Sequence, residues 1–498
     1  MNTLTGILEH GAPDRPALIV PDGPTWTYTA LKREVARIAD TLAGLGVERK
    51  DRVALVLPNG AEAILCFLGA AAVATAAPLN PAYTEDEFRF YLEDTGAHVM
   101  LVPAGGAEAA RAALGDRGVL VEVSVVGDGE VRLTSTSMVD PKRRSSAATP
   151  EDVALILHTS GTTSRPKRVP LTHANLCRSL DNIVETYALT AEDVSLCVMP
   201  LFHVHGLVAS TLSTFNSGGA VVAPPRFNPL RFWPVVERYG ATWYSAVPTM
   251  HQLLLSRLRE DERPAGAENL RFVRSCSSAL PPEVMLQLEQ RLGVPVLEAY
   301  GMTEASHQMS SNPLPPSERR PGTVGCGTGV EVGIMDEAGT LLAPREVGEV
   351  VIRGENVTHG YENNPEANAS SFTHGWFRTG DQGRLDDGYL TILGRLKELI
   401  NRGGEKISPR EIDETLLSHP AVAEAVSFGS PHPMWGEEVA AAVVLAGEAT
   451  SAELQRFCKE RLADFKCPSK IHIVESIPRT ATGKVQRRHV AAAFGERR

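Results

Sequence analysis

A length of 498 residues predicts about three domain-sized pieces and excludes a single small module. Hydrophobic residues at 43% and charged residues at 22% are ordinary globular usage, and Gly 43 with Pro 34 is too little for a low-complexity chain. Asp and Glu number 60 against 49 Lys and Arg; the formal charge of -11 and the aromatic content of only 6% remove the electrostatic and stacking grounds for a nucleic-acid partner.

The N-terminal MNTLTGILEHGAPDRP has no basic region followed by an apolar run, so no signal peptide is expected. Ala63–Leu79 is uncharged but Ala-rich, with Gly69 and Pro78 inside it. It predicts a buried helix running into a strand rather than a membrane span. The cysteines (Cys66, Cys177, Cys197, Cys276, Cys326, Cys458, Cys467) form no C-x-x-C pair. Neither a zinc site nor a disulfide framework is expected, and a reducing, cytoplasmic compartment fits.

From residue 52 to 280 the pattern alternates between two periods. Arg52–Leu57, Val153–Leu157, Ala220–Ala223 and Ala241–Val247 predict buried strands. Ala174–Tyr187, Pro229–Tyr239 and Pro282–Leu292 predict helices. Such alternation argues for α/β layers on mostly parallel sheets. Val139–Pro150 reads as a surface linker inside this region. After Asn312 a Pro-rich charged loop introduces a β-rich stretch, with strands at Gly348–Arg353 and Tyr389–Leu393. From Lys397 strands (Val422–Phe428, Val439–Leu445, Ile471–Val474) mix with helices (Pro409–Leu417, Ala452–Leu462). The expected organisation is a large α/β domain, residues 1–396, of layered doubly wound sheets plus a β-rich subdomain. A small mobile α+β domain, residues 397–498, follows.

Five segments carry chemistry. His158-Thr-Ser-Gly-Thr-Thr-Ser-Arg-Pro-Lys-Arg168 follows a predicted strand and offers hydroxyls, backbone N–H groups and Lys167 to phosphate. It is not the G-x-x-x-x-G-K-[ST] loop, and a polar surface turn is the bland alternative. Glu298-Ala-Tyr-Gly-Met-Thr-Glu304 lies beyond an apolar stretch, where ligands of parallel sheets sit. Its Glu304 suits Mg²⁺, a hard cation that takes oxygen ligands. Trp376-Phe-Arg-Thr-Gly-Asp381, with Gly394-Arg395 downstream, puts an Asp on a turn suited to ribose hydroxyls. Asn401-Arg-Gly-Gly-Glu-Lys-Ile407 allows close backbone approach or makes a plain hairpin turn. Pro478-Arg-Thr-Ala-Thr-Gly-Lys484 ends on a lysine after a flexible turn.

In this order the five segments resemble the signature of the acyl-adenylate-forming superfamily, over essentially the whole chain. The resemblance implies that Thr159, Ser160, Gly161, Thr162, Thr163, Ser164 and Lys167 cradle ATP phosphates. Ser164 and Arg168 stand where the superfamily usually has glycine. Thr303 and Glu304 would serve the α-phosphate and Mg²⁺. Glu298, Ala299 and Tyr300, with the Ser277-Ser278-Ala279 turn, would line the adenine. Asp381 and Arg395 would bind ribose, and Lys397 would be the hinge. Gly403 and Gly404 would flank the pantetheine tunnel of coenzyme A. His203 resembles the gate beside that tunnel. Lys484 would reach the reacting carboxylate and α-phosphate. The implied partners are a small carboxylic acid, ATP and CoA. The sequence does not indicate an oligomeric state.

The acyl pocket is read separately. His205 would share a face with His203 if Pro200–Gly206 is extended. His205, His307 and Ser277 are polar where long-chain or aryl enzymes usually have small or apolar residues. The two histidines either are available as cations or bond backbone groups and merely wall the pocket, with Arg274 either a pocket residue or a structural partner. Hydroxyl and imidazole donors would remove the cost of burying a second carboxylate, which favours a short diacid. The runs PLFHVHGL, LRFVRSCSSAL, EAYGMTEASHQMSSNPLP and ELINRGGEKISP resemble the oxalate–CoA ligase branch. Malonate or short- and medium-chain acyl-CoA synthetases stand as neighbours. A carrier-loading adenylation unit and a non-enzymatic nucleotide binder are the alternatives of other classes.

Overall fold

The structure, a computed structural model, describes residues 2–127, 129–159, 166–259, 263–479 and 485–495. They form two compact units: Met1–Glu331 with Ile352–Phe372, and Val332–Val351 with Thr373–Arg498.

The first unit holds two sheets. The larger runs Cys326–Gly327, His307–Ser311, Val296–Met302, Phe272–Ser275, Trp243–Ala246, Val194–Cys197, Ala220–Val222, Pro16–Ile19, Thr25–Thr27. From Val296–Met302 to Pro16–Ile19 every pairing is parallel, and the outer strands are antiparallel. The central strands are short and fully buried, as expected where helices cover a parallel sheet. Helices Phe232–Tyr239, Pro248–Leu255 and Pro282–Leu292 supply that cover through Phe232, Val236, Leu254, Met285, Leu288 and Leu292. The seven-stranded sheet runs Glu130–Ser135, Val119–Val126, Val99–Pro103, Arg52–Leu55, Thr75–Pro78, Val153–Thr159, Lys167–Thr172. It too is parallel inside and antiparallel at its edges.

Ala61–Val73 is a helix buried on almost all sides, followed by the strand Thr75–Pro78. Its apolar stretch packs inside the protein. At Gly69 a Cβ would fall 2.4 Å from Ile38 Cγ2, so glycine sets the close approach to helix Tyr28–Gly44. Among the described residues no helix is long and apolar enough to cross a membrane.

The second unit holds two five-stranded sheets. One is ordered Glu331–Met335, Gly348–Arg353, Trp376–Asp386, Phe372–Thr373, with Tyr389–Arg395 also on Trp376–Asp386. The other is ordered Glu405–Ile407, Ile400–Arg402, Gly436–Leu445, Val422–His432, with Lys470–Ile473 also on Gly436–Leu445. Helices Pro409–Leu417 and Ser451–Lys459 close the core of the latter through Ile412, Leu416, Leu454 and Cys458.

Candidate active site

Strands Val153–Thr159 and Lys167–Thr172 pair antiparallel, so Thr159 faces Lys167 and His158 faces Arg168. The intervening Ser160, Gly161, Thr162, Thr163 and Ser164 lie outside the described residues, as does Lys484. Arg168, one of the departures from the superfamily pattern, has a clear place. Its guanidinium lies 3.3 Å from Asp94 and 3.2 Å from Glu362. Asp94 also holds His158 at 3.0 Å. Burial lowers the His158 pKa, against the pull of Asp94. Arg168 therefore ties the strand Lys167–Thr172 to Asp94 and Glu362.

Lys167 Nζ lies 4.3 Å from the centre of the Tyr361 ring. The Tyr361 hydroxyl donates to Glu304 Oε1 at 2.8 Å. Burial, and then the Glu304 charge, push that hydroxyl's pKa up, so the phenol stays a donor. Tyr361 thus touches both the lysine and the buried carboxylate that follows Thr303, a set suited to a metal–polyphosphate group. Tyr361 escaped sequence reading because nothing in its spacing from Glu304 signals contact.

Glu298, Ala299 and Tyr300 lie on the strand Val296–Met302, which continues past the point where the apolar pattern stops. Buried Glu298 accepts from Leu280 N at 2.9 Å and so holds the turn that carries Ser277 and Ser278. Ser277 has φ 73°, a left-handed conformation uncommon for serine.

The residues expected to line an acyl pocket form one network. Arg274 lies on the strand Phe272–Ser275 and is fully buried. It donates through Nε to Tyr187 at 2.8 Å and through Nη1 to Ser245 at 3.0 Å. Its Nη2 reaches His307 Nε2 at 3.1 Å and Gln308 Oε1 at 3.0 Å. His205 joins Ser245 through Nε2 at 2.6 Å and Ser277 through Nδ1 at 2.9 Å. The His205 and His307 rings stack with centroids 5.3 Å apart. Ser245, Gln308 and Tyr187 were missed from sequence. Ser245 had a signal, a serine inside the fully buried strand Trp243–Ala246.

Two expectations are corrected here. The segment carrying His205 is not extended: His205–Leu212 is a π-helix after a turn at Leu201–His203. Its wide turns leave carbonyls for side chains, and Thr211 donates to Gly206 O while Thr214 donates to Ser210 O. The histidines also do not offer cations. Burial first, then the Arg274 charge, drive both pKa values well below the ordinary histidine range. Each acts as a neutral, oriented donor.

In the second unit Asp381 and Arg395 face each other across paired strands, with Arg395 Nε 3.3 Å from Asp381 Oδ1. Asp381 lies within the strand Trp376–Asp386 rather than on a turn, after Gly380 with φ 74°. Lys397 sits in the single turn Leu396–Glu398. Gly403 and Gly404, φ 61° and 99°, make the two-residue hairpin turn between Ile400–Arg402 and Glu405–Ile407. Arg487, three residues beyond Lys484, donates to Asp413 at 2.8 Å and to Glu398 at 3.2 Å. Arg487 therefore ties its own segment to the turn that carries Lys397.

The profile described as AMP-binding enzyme matches residues 9–362, and that described as AMP-binding enzyme C-terminal domain matches residues 411–484. The chain is 47% identical to an oxalate–CoA ligase of Arabidopsis thaliana, covering 100% of this chain and 99% of that one. It is 46% identical to an oxalate–CoA ligase of Saccharomyces cerevisiae, covering 97% and 95%. A sulfoacetate–CoA ligase of Cupriavidus necator is 38% identical over 95% and 94%. Among solved structures, ATP-bound MatB from Rhodopseudomonas palustris superposes with TM-score 0.90 at 30% identity, covering 99% of each chain.

Proposed function

The chain belongs to the AMP-binding, adenylate-forming enzymes, and from that premise we propose that it is an AMP-forming acid–CoA ligase acting on oxalate. One observation carries the choice of acid. Buried Arg274, His205 and His307, with half-buried Ser277, form a polar network where an alkyl tail would need apolar walls. A second carboxylate buried without partners costs several kcal/mol, and such donors remove most of that penalty. Oxalate and sulfoacetate, the acids named for relatives, are both small and carry a second anionic group.

In this reading the loop at Thr159–Lys167 holds the ATP phosphates, and Asp381 with Arg395 holds the ribose. Glu298–Tyr300 and Ser278 line the adenine. Glu304 fits Mg²⁺: it is a buried carboxylate held by the Tyr361 hydroxyl, and the Tyr361 ring lies against Lys167. Such a donor set suits a cation held partly by substrate phosphates. When bound, the ion neutralises the polyphosphate as the acid approaches the α-phosphate. Thr303 steadies that phosphate, and Lys484 stabilises the negative charge shared by the reacting carboxylate and phosphate. Residues 397–498 form the moving domain, hinged at Lys397. It closes once to form the adenylate and again to admit thiol past His203, Gly403 and Gly404. Seven free cysteines, none paired, support a reducing cytoplasmic setting.

Pyrophosphate release measured across an acid panel, with and without CoA, tests the proposal. Oxalate with CoA is expected to give oxalyl-CoA, AMP and pyrophosphate. Octanoate outrunning oxalate would reject the diacid reading. An acyl-adenylate discharged only onto a carrier protein would reject CoA.

A further inference from the structure

Arg274 is a full positive charge at zero exposure, and none of its partners is a carboxylate. Its acceptors are a phenol, a serine hydroxyl, an amide oxygen and an imidazole nitrogen, with the Cys276 thiol beside them. A buried cation without a counter-ion is costly, so its hydrogen bonds have a defined purpose to serve.

The direction of each bond can be worked out. Arginine only donates. His307 Nε2, 3.1 Å from Arg274 Nη2, must therefore be the bare acceptor nitrogen, and the ring proton sits on Nδ1. His307 Nδ1 has no hydrogen-bond partner among the described residues and faces Gly301, where an added Cβ would come within 2.9 Å. On the other side, Ser245 accepts from Arg274 Nη1. The buried Ser245 hydroxyl then needs an acceptor for its own proton, and His205 Nε2 at 2.6 Å is the one present. His205 in turn carries its proton on Nδ1 and donates to Ser277 Oγ. The Ser277 proton has no acceptor among the described residues. The reverse order would leave the buried Ser245 proton unsatisfied, which is unfavourable.

We propose that Arg274 is a positioning residue: through one relay, Ser245 to His205 to Ser277, and one direct bond to His307, it locks both histidines as neutral Nδ1–H tautomers. The Ser277 hydroxyl and His307 Nδ1–H are thereby left as the two donors of the network with no acceptor among the described residues, and in the oxalate reading they are the donors offered to the acid. The backbone supports this aim. Ser277, Ser306 and His307 have φ 73°, 51° and 109°, positions that need the surrounding fold to hold them. The charged and titratable groups around His205 are Arg274, His203, His251 and His307; those around His307 are Arg274, His205 and His203. All that can be cationic oppose a second positive charge. The inference rests on the oxalate reading for the identity of the acid, but not for the tautomers.

The test uses the full chain with ¹⁵N-labelled histidine. NMR is expected to place the His205 and His307 protons on Nδ1 at pH 7. An Nε2–H or doubly protonated form of either ring would overturn the proposal, whatever acid is used. Ser245→Ala breaks only the relay arm. It is expected to shift His205 towards the Nε2–H form and to raise KM for the acid about tenfold, more than it lowers kcat. Ser245→Thr, which keeps the hydroxyl, restores both readouts. Ser245→Ala with unchanged KM, or with an unmoved His205 tautomer, would also overturn it. Kinetics are run with whichever acid the panel selects, so rejection of oxalate leaves this test intact.

Discussion

At the scale of single residues, the site works by placing few charges among many neutral donors. The Tyr361–Glu304 bond is the simplest case. Hydrogen bonds to charged groups contribute about 1.5–3 kcal/mol. Tyr361→Phe is therefore expected to leave Glu304 less well oriented. The Mg²⁺ concentration needed for half-maximal pyrophosphate release should rise several-fold, with CoA affinity unaltered. An unchanged Mg²⁺ titration would remove Tyr361 from the site. Gly301 gives a second residue-scale prediction. A Cβ there would lie 2.0 Å from the His307 carbonyl oxygen, which is backbone and cannot yield. Gly301→Ala is expected to displace His307 and cost most acid-dependent activity, while ATP binding by equilibrium dialysis persists. The glycine itself was legible in the motif. Its partner across the hairpin was not, because the contact depends on a register shift between Tyr300 and Gly301.

Among the elements, local chemistry and tertiary packing divide the work. Helix Ser451–Lys459 starts on a capping box, with Thr450 accepting from Glu453 N while Glu453 accepts from Thr450 N. Loss of such a cap costs about 1 kcal/mol. Thr450→Ala is expected to speed hydrogen exchange of the first-turn amides about fivefold and to leave helix His173–Tyr187, with its own Thr172 box, untouched. Equal protection in both proteins would mean that packing alone holds that helix. The helices Pro282–Leu292 and Pro409–Leu417 and the strand Gly348–Arg353 match their sequence patterns end to end. Strong start signals and a clear period explain that agreement. The π-helix His205–Leu212 is the counterexample. HGLVASTL has no periodic stripe because every residue in it is buried, so neither strand nor helix could be read from pattern.

For the whole molecule, pH dependence follows from buried imidazoles. Burial holds the His173 and His251 pKa values near 4. The unfolded chain takes up protons at these positions near pH 6.5, before the folded one does. Their contribution to stability is complete above pH 6.5 and is lost as pH falls from there towards 4. Each represents about 3 kcal/mol over that window. The apparent melting temperature is expected to be flat from pH 8 to 7 and to drop steadily below 6.5. A melting temperature that rises on acidification through this window would contradict it. The proposed division of labour between the two units gives another test. Lys484→Ala should cripple adenylate formation far more than thiol transfer from supplied acyl-adenylate. Equal loss in both half-reactions would contradict the assigned role.

Composition, motif order and hydrophobic period were enough to establish an acidic α/β chain with a nucleotide-binding signature and a smaller mixed terminal region. These are local properties: each is written in neighbouring residues and survives without knowing what lies across the fold. The protonation of His205 and His307 was not local. Sequence could offer them as cations, because an isolated imidazole titrates near neutrality. Only the tertiary structure brings Arg274 from one strand, Ser245 from the next and His307 from a hairpin into one buried cluster, and in that place a second positive charge is excluded. The same holds for Arg168. It reads as a lost glycine in the sequence and becomes an anchor only where Asp94 and Glu362 meet it.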